Sequence, residues 1–554
     1  MRPRWRANRG IAAVVLSLSL AARAESMDMP GDAASASPAA DAWCKSALAM
    51  PARPEGPGEP LLALALSGGG YRAMLFHVGT LRRLNDAGLM PRLALVSSVS
   101  GGSITAAYLA HRWRDLQFDE ENRATNFVEV IEAPLRAMAR TTLDIPSVLT
   151  GILPFASSAG EQVRKLDENL FHRALLADIV PGGQTDVRTA RSRPLFVINA
   201  TNLQTGELWQ FRPTAIGGPI TQWTPPGNVL LSQAVAASSG FPPFLSPLRL
   251  DLSAWGAESE WHDCNEFRDN PYGVAYRHEP GRQLPEDGAT RASFRKEVQL
   301  IDGGVRDNLG IGTIEEINRL RRLGGIEIAT ATLISDGGTT TPLEPSPSAN
   351  WLGQSLRVLH LLSDQPDEVR VASIIRAGSA RLRGFGWAAT APVGCSETPP
   401  PAALQAARRR AATDPADAYA YWSIRRYPKF HLGFECPGDP RWMSDEVREL
   451  AAVPTAFRAM PDALQARLVN WGYLAAHHGL PYVDYAWPRD EVRRRWLGVC
   501  SLPYGVEVTD PAGDTPSARH ARCLRLMKEE GGPEAIDASS TGAIMLMTMP
   551  RGGK

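Results

Sequence analysis

Five short apolar runs constrain this chain more than any other feature. They are "LLALALS" at 61–67, "LALVSS" at 93–98, "LFVINAT" at 195–201, "VQLID" at 298–302 and "IATATLIS" at 328–335. Near-continuous runs of this length fit strands buried on both faces, as in a parallel sheet. Helical spacing fills the intervals, as in "AMLFHVGTLRRLNDAG" (73–88) and "IGTIEEINRLRRLGG" (311–325). Strand and helix in alternation predict an α/β layered domain over residues 58–345 with a mostly parallel central sheet.

Three small-residue junctions close predicted strands, at the sheet edge where open α/β folds bind ligands. The first is Ser67-Gly68-Gly69-Gly70-Tyr71-Arg72. Three glycines allow a tight turn and leave consecutive N–H groups at a helix N-terminus, suited to an anion or an oxyanion. It is not a P-loop, because no G-K-[ST] follows, and a dinucleotide fingerprint would need glycine at Arg72 or Ala73. The second is Ser98-Val99-Ser100-Gly101-Gly102, one residue short of the G-x-S-x-G elbow that presents a nucleophilic serine. Two positions before the nucleophile the elbow demands a small residue, and Ser98 adds only a hydroxymethyl group to glycine. The third is Asp302-Gly303-Gly304-Val305-Arg306-Asp307-Asn308, whose aspartate closes a strand and is placed to accept a hydroxyl proton. A rival, Asp336-Gly337-Gly338, lacks the later asparagine and reads as a structural turn. His77 reads as packing, and His360, His477 and His478 as ordinary helical histidines. Neither H-E-x-x-H nor a Cys/His cluster is present, so no metal or other cofactor is expected.

Outside this core the chain changes character. Arg2, Arg4, Arg6 and Arg9 precede "IAAVVLSLSLAA" and an Ala22-Arg23-Ala24 cleavage box, which reads as a secretory signal at 1–24. The run is short of the ~20 residues a bilayer span needs. Removing it takes five of the 59 basic residues and none of the 59 acidic ones. The remaining chain is mildly acidic, which gives no footing for nucleic acid. Six scattered cysteines in an exported chain suit disulfides, with fifteen full pairings open. Residues 25–57 read as a solvated linker, 252–296 as a polar insertion that could act as a lid, 346–530 as mainly helical and 531–554 as a loose tail. "AALQAARRR" (402–410) is the nearest approach to a basic membrane-contacting stretch and reads as a solvated helix face.

Taken together and in order, the junctions resemble the patatin-like phospholipases, acyl hydrolases with a Ser–Asp dyad. "SGGGYRA" resembles their oxyanion motif, "SVSGGS" their serine elbow and "DGGVRDN" their aspartate motif; "AVAASSGFPPFLSP" (234–247) is similar to a segment they carry before the aspartate. The Tyr-Arg ending of "GGGYR" is also similar to the cytosolic group IV phospholipases, which places Arg72 beside the oxyanion or phosphate. The resemblance spans residues 60–340 and implies a three-layer α/β domain acting on lipid or phospholipid. It implies Ser100 as nucleophile, Asp302 as base, and Gly68, Gly69, Gly70 and Arg72 as the oxyanion hole. Ser98, Gly101, Gly102, Gly303 and Gly304 support the motifs. Two other readings stand beside it. One is a Ser-His-Asp esterase with His360, His431 or His477; the other is a non-catalytic lipid-binding envelope protein. Periplasm, outer-membrane surface and medium remain open as destinations, as do peripheral membrane contact and oligomeric state.

Overall fold

The computed structural model describes residues 38–48, 61–143, 158–181, 192–242, 247–253, 261–264, 287–323, 331–339, 419–425 and 445–480, with shorter pieces between 284 and 509. The signal at 1–24 and the tail at 531–554 lie outside the described residues. Ten strands form one sheet: β1 Leu62–Leu66, β2 Leu93–Val99, β3 Leu195–Asn202, β4 Leu208–Phe211, β5 Ile216–Gly218, β6 Gln222–Thr224, β7 Leu248–Asp251, β8 Glu297–Asp302, β9 Ala331–Asp336 and β10 Tyr419–Ser423. The helices that matter below are α1 Pro38–Ala47, α2 Gly70–Asp86, α3 Gly101–Arg112, α4 Leu231–Ser238, α5 Ile311–Leu323 and α6 Asp462–Gly479.

β10, β9, β1, β2 and β3 lie side by side and run parallel. Every residue of β1, β2, β3 and β9 is buried, which is why their sequences do not alternate. Leu62, Leu64 and Leu66 enter one core with α2 and α3 residues; Ala63 and Ala65 enter another with Ile311, Ile314 and Ile317 of α5. The domain therefore has three layers, helix, sheet and helix. An antiparallel flank is added, in which β4, β5 and β6 extend from β3 and a β7–β8 pair joins β3 as well.

The main described residues beyond 345 are built into this domain. They supply the edge strand β10 and the helix α6, which lies along α2. The two helices touch backbone to backbone. A side chain at Gly79 would strike the Val469 carbonyl, and one at Gly472 the Phe76 carbonyl.

The linker expected at 25–57 needs correction. Within it Pro38–Ala47 is helical, and Cys44 is disulfide-bonded to Cys264 of the polar insertion. Cys44, Ala47 and Leu48 pack with Ala215, Trp223 and Cys264, and Trp43 stacks on His262 at 4.1 Å. His262 in turn exchanges both backbone hydrogen bonds with Trp223 of β6, at 2.7 and 3.1 Å. The disulfide thus staples the leading helix to the flank of the sheet, a long-range pairing that cysteine spacing does not encode.

Candidate active site

β3 acts as a ruler that brings two strand ends together. On one edge it pairs with β4 over 198–201, Asn199 opposite Gln210 and Ala200 opposite Trp209. On the other edge β2 ends with Val99 opposite Asn199, and the next position, Ala200, is opposite Asp302 of β8. β2 runs parallel to β3 and β8 antiparallel, so their carboxyl ends meet head-on. Ser100, the residue after Val99, is thereby placed against Asp302. The sequence puts Asp302 at the end of a strand; that this strand runs opposite to the parallel set is a finding of the structure.

Ser100 is held in an unfavourable backbone conformation, φ 53° and ψ −121°, between β2 and α3. Such strain in a non-glycine residue costs ~1–3 kcal/mol and persists only where surroundings enforce it. The two glycines that follow explain the tightness. A side chain at Gly101 would strike the Gly70 carbonyl, and one at Gly102 would lie 2.5 Å from the Leu66 oxygen and 2.6 Å from that of Ser67. Ser98 fits where the elbow usually has glycine because its hydroxyl is used. It donates to the Val197 carbonyl at 3.3 Å and accepts from the Ser103 hydroxyl at 3.1 Å.

Asp302 is 4% exposed, and the Ser100 side chain is one of the groups that act on its carboxylate. Burial pushes the Asp302 carboxyl up to about 6, opposed by the Gly304 N–H hydrogen bond and by the nearby Ser100 hydroxyl. The Gly304 N–H donates to Oδ1 at 2.7 Å. A side chain at Gly304 would come within 3.0 Å of that same oxygen, and one at Gly303 would strike the Asn199 carbonyl. Both glycines are therefore required for the turn to close over the carboxylate. Among the described residues, no guanidinium, ammonium or imidazole is one of the groups that act on Asp302.

The glycine loop lies against the elbow; a side chain at Gly68 would be 3.2 Å from the Ser100 Cβ. Its N–H groups are not equivalent. Gly68 donates to the Asn308 carbonyl at 2.9 Å, so its N–H is engaged within the protein, a correction to its expected place in the oxyanion hole. Gly69 and Gly70 sit at φ 139° and 62°, and as N-cap and first residue of α2 their N–H groups have no intrahelical acceptor. Gly101 has the same status at the start of α3. Three backbone donors at two converging helix N-termini are thus available to an anion beside Ser100.

Arg72 also departs from expectation. Its Nε donates to Gly337 O at 3.0 Å and Nη1 to Val453 O, both buried, and Nη2 donates to Thr455 Oγ1 at 2.9 Å in a partly buried setting. Burial lowers its pKa to about 9, with Asp336 opposing. Each guanidinium nitrogen already serves a protein acceptor, so Arg72 clamps the C-terminal region onto the glycine loop. The same region touches the loop again, as the Tyr71 N–H donates to the Ala456 carbonyl at 3.1 Å.

Asp336 is structural, as the sequence suggests. Arg425 pairs with it at 2.8 Å and Tyr421 donates at 2.6 Å. Burial works to raise its pKa, but Arg425, Tyr421 and Gly338 together hold it below the usual value. His77 Nε2 donates to Ser67 O at 2.9 Å while Nδ1 faces the Ser335 hydroxyl, and burial lowers it to about 4. His477 accepts from Arg83 Nε at 3.1 Å. His360 and His431 lie outside the described residues.

Residues 64–313 match the family model described as patatin-like phospholipase. Human GIVD cytosolic phospholipase A2 in complex with methyl gamma-linolenyl fluorophosphonate is 15% identical, with a TM-score of 0.35, over 82% of this chain and 63% of that one. VipD from Legionella pneumophila is 13% identical, with a TM-score of 0.25, over 77% and 67%. The chain spans 52% of a further structure of the human enzyme, at 15% identity and a TM-score of 0.31. None of the curated proteins compared is a match. The family match runs from β1 into α5 and takes in the glycine loop, the serine elbow and the aspartate turn: residues 64–313 are a patatin-like phospholipase domain.

Proposed function

We propose that this chain is a lipid acyl hydrolase in which Ser100 attacks a carboxylic ester and Asp302 is its base. The observation that carries this reading is the head-on meeting of β2 and β8, which sets a strained elbow serine against a buried carboxylate on which no cationic group acts among the described residues. Asp302 accepts the Ser100 proton as the hydroxyl oxygen attacks the ester carbonyl. The Gly69, Gly70 and Gly101 N–H groups take up the oxyanion, where one such donor is typically worth ~3 kcal/mol of barrier. Asp302 then returns the proton to the departing alkoxide, leaving an acyl-serine that water cleaves. A carboxyl near 6 is a better base than an ordinary aspartate and is still ionised at neutral pH. Export also belongs to this proposal. It is supported by the arginine-led apolar run at the N-terminus and by the Cys44–Cys264 bond, which suits an oxidising compartment. N-terminal sequencing of exported protein reads whether cleavage follows Ala24.

The test is free fatty acid release from mixed phospholipid vesicles, with products resolved by mass spectrometry across pH 4.5–8. Release is expected to fall about tenfold per unit below pH 6, because protonated Asp302 cannot accept the serine proton. A flat profile through that range removes Asp302 from the base role. His360→Ala and His431→Ala are expected to keep activity; loss in either supports a Ser-His-Asp arrangement. Wild type inert on phospholipids, lysophospholipids and short esters alike would point to a binding scaffold.

A further inference from the structure

Ser238 ends α4 within the segment that precedes the aspartate motif, and nothing in the mechanism above uses it. Hydrogen bonds nevertheless run from this short stretch to both halves of the Ser100–Asp302 pair. Ser238 Oγ accepts the Ser100 backbone N–H at 2.9 Å and donates to Asn199 O at 2.6 Å. The Ser238 carbonyl accepts from Gly303 N–H at 3.2 Å, and the Gly240 carbonyl from Asp302 N–H at 3.1 Å. Ser238 is itself wholly buried.

We infer that Ser238 is a positioning residue that sets the separation of the Ser100 hydroxyl from the Asp302 carboxylate; this rests on the dyad reading above. β3 alone brings the two strand ends near one another, but each reacting residue lies beyond or at the end of its ladder. Ser100 has left β2, and its strained backbone needs a partner that holds it. Its N–H points to Ser238 Oγ, which is anchored to the Asn199 carbonyl on β3. Through Ser238 O and Gly240 O the same turn fixes the backbone of Asp302 and Gly303. One rigid segment therefore references nucleophile and base to a common frame. Ser238→Ala removes the acceptor, leaving the Ser100 N–H buried without one and the strained conformation unsupported.

The experiment compares wild type, Ser238→Ala and Ser103→Ala for labelling by a long-chain fluorophosphonate, for kcat and KM on a soluble ester, and for thermal unfolding. Ser103 is a matched control, because its buried hydroxyl lies 2.9 Å from Ser238 Oγ but does not bond the Ser100 N–H. Ser238→Ala is expected to lower labelling rate and kcat about 10- to 100-fold with KM nearly unchanged, as a small misplacement of reacting groups does. Ser103→Ala is expected to stay within about threefold of wild type, since it leaves the Ser100 N–H bond in place. Equal losses in both variants, or a Ser238→Ala loss confined to KM or matched by partial unfolding, overturn the inference. Absence of labelling in wild type itself instead overturns the dyad reading.

Discussion

Asp302→Asn is expected to remove ester hydrolysis while making the folded protein more stable at alkaline pH. The activity loss follows from the missing base, whose contribution is typically ~10²–10⁴-fold. The stability gain follows from burial. The carboxyl sits near 6 in the fold against an ordinary 3.8, so the protonated form is the one the folded site favours. Stability from that preference is complete below the unfolded value and is lost as pH rises through 6. By pH 8 wild type holds an ionised buried carboxylate at a cost of about 3 kcal/mol, the free energy that raises a carboxyl from its ordinary value to near 6. An asparagine amide keeps the oxygen that accepts from Gly304 and offers its NH₂ to the Ser100 oxygen. Unfolding midpoints measured at pH 8 and pH 4.5 check this. The Asp302→Asn advantage is expected at pH 8 and is expected to shrink towards pH 4.5. A variant less stable than wild type at pH 8 contradicts the burial argument.

The second large effect concerns Arg72. Arg72→Met keeps much of the side-chain volume of this 1%-exposed residue but strips the donors from Gly337 O and Val453 O, both at buried residues, and from Thr455 Oγ1 nearer the surface. Each buried acceptor left unpaired costs ~1–3 kcal/mol, and relief of the buried charge returns part of that, so a net loss of about 3 kcal/mol is expected. Arg72→Lys should recover little, because one ammonium cannot span acceptors arranged for a planar fork. Activity should fall together with stability, since the Val453–Phe457 segment also meets Gly70 and Tyr71. Thermal unfolding and steady-state kinetics on the same preparations decide it. If Arg72→Lys unfolds like wild type and loses only kcat, the arginine acts on the substrate and the clamp is wrong.

Much of this was legible in the sequence, for reasons specific to particular residues. β1 and β2 declare themselves because both faces are buried, so their sequences carry no alternation. Ser100 and Asp302 are visible because glycines crowd their turns, and those glycines are required by contacts with Gly70, Leu66 and Asn199 carbonyls. What could not be read depends on partners distant in the chain. The direction of β8 is set by its register on β3, about a hundred residues earlier. A glycine motif ending in arginine promises a cation near the loop, but the acceptors of Arg72 lie at 337, 453 and 455. Likewise the Gly68 N–H looks free until Asn308 is seen to occupy it. β10 comes from a region with a helical pattern and carries no signal of the edge it completes. Ser238 had a weaker signal: the serine-rich end of "AVAASS" marked the segment without saying what its hydroxyl holds.

The most direct test of the dyad is to catch the acyl group. Wild type, mixed briefly with phospholipid vesicles at neutral pH and quenched in acid, is digested and its peptides weighed. The dyad predicts a fatty-acyl mass increment on the peptide carrying Ser100, absent from the Ser100→Ala protein, which should release fatty acid at least ~10⁴-fold more slowly. Acyl mass on another residue, or a Ser100→Ala protein that hydrolyses at the wild-type rate, contradicts it.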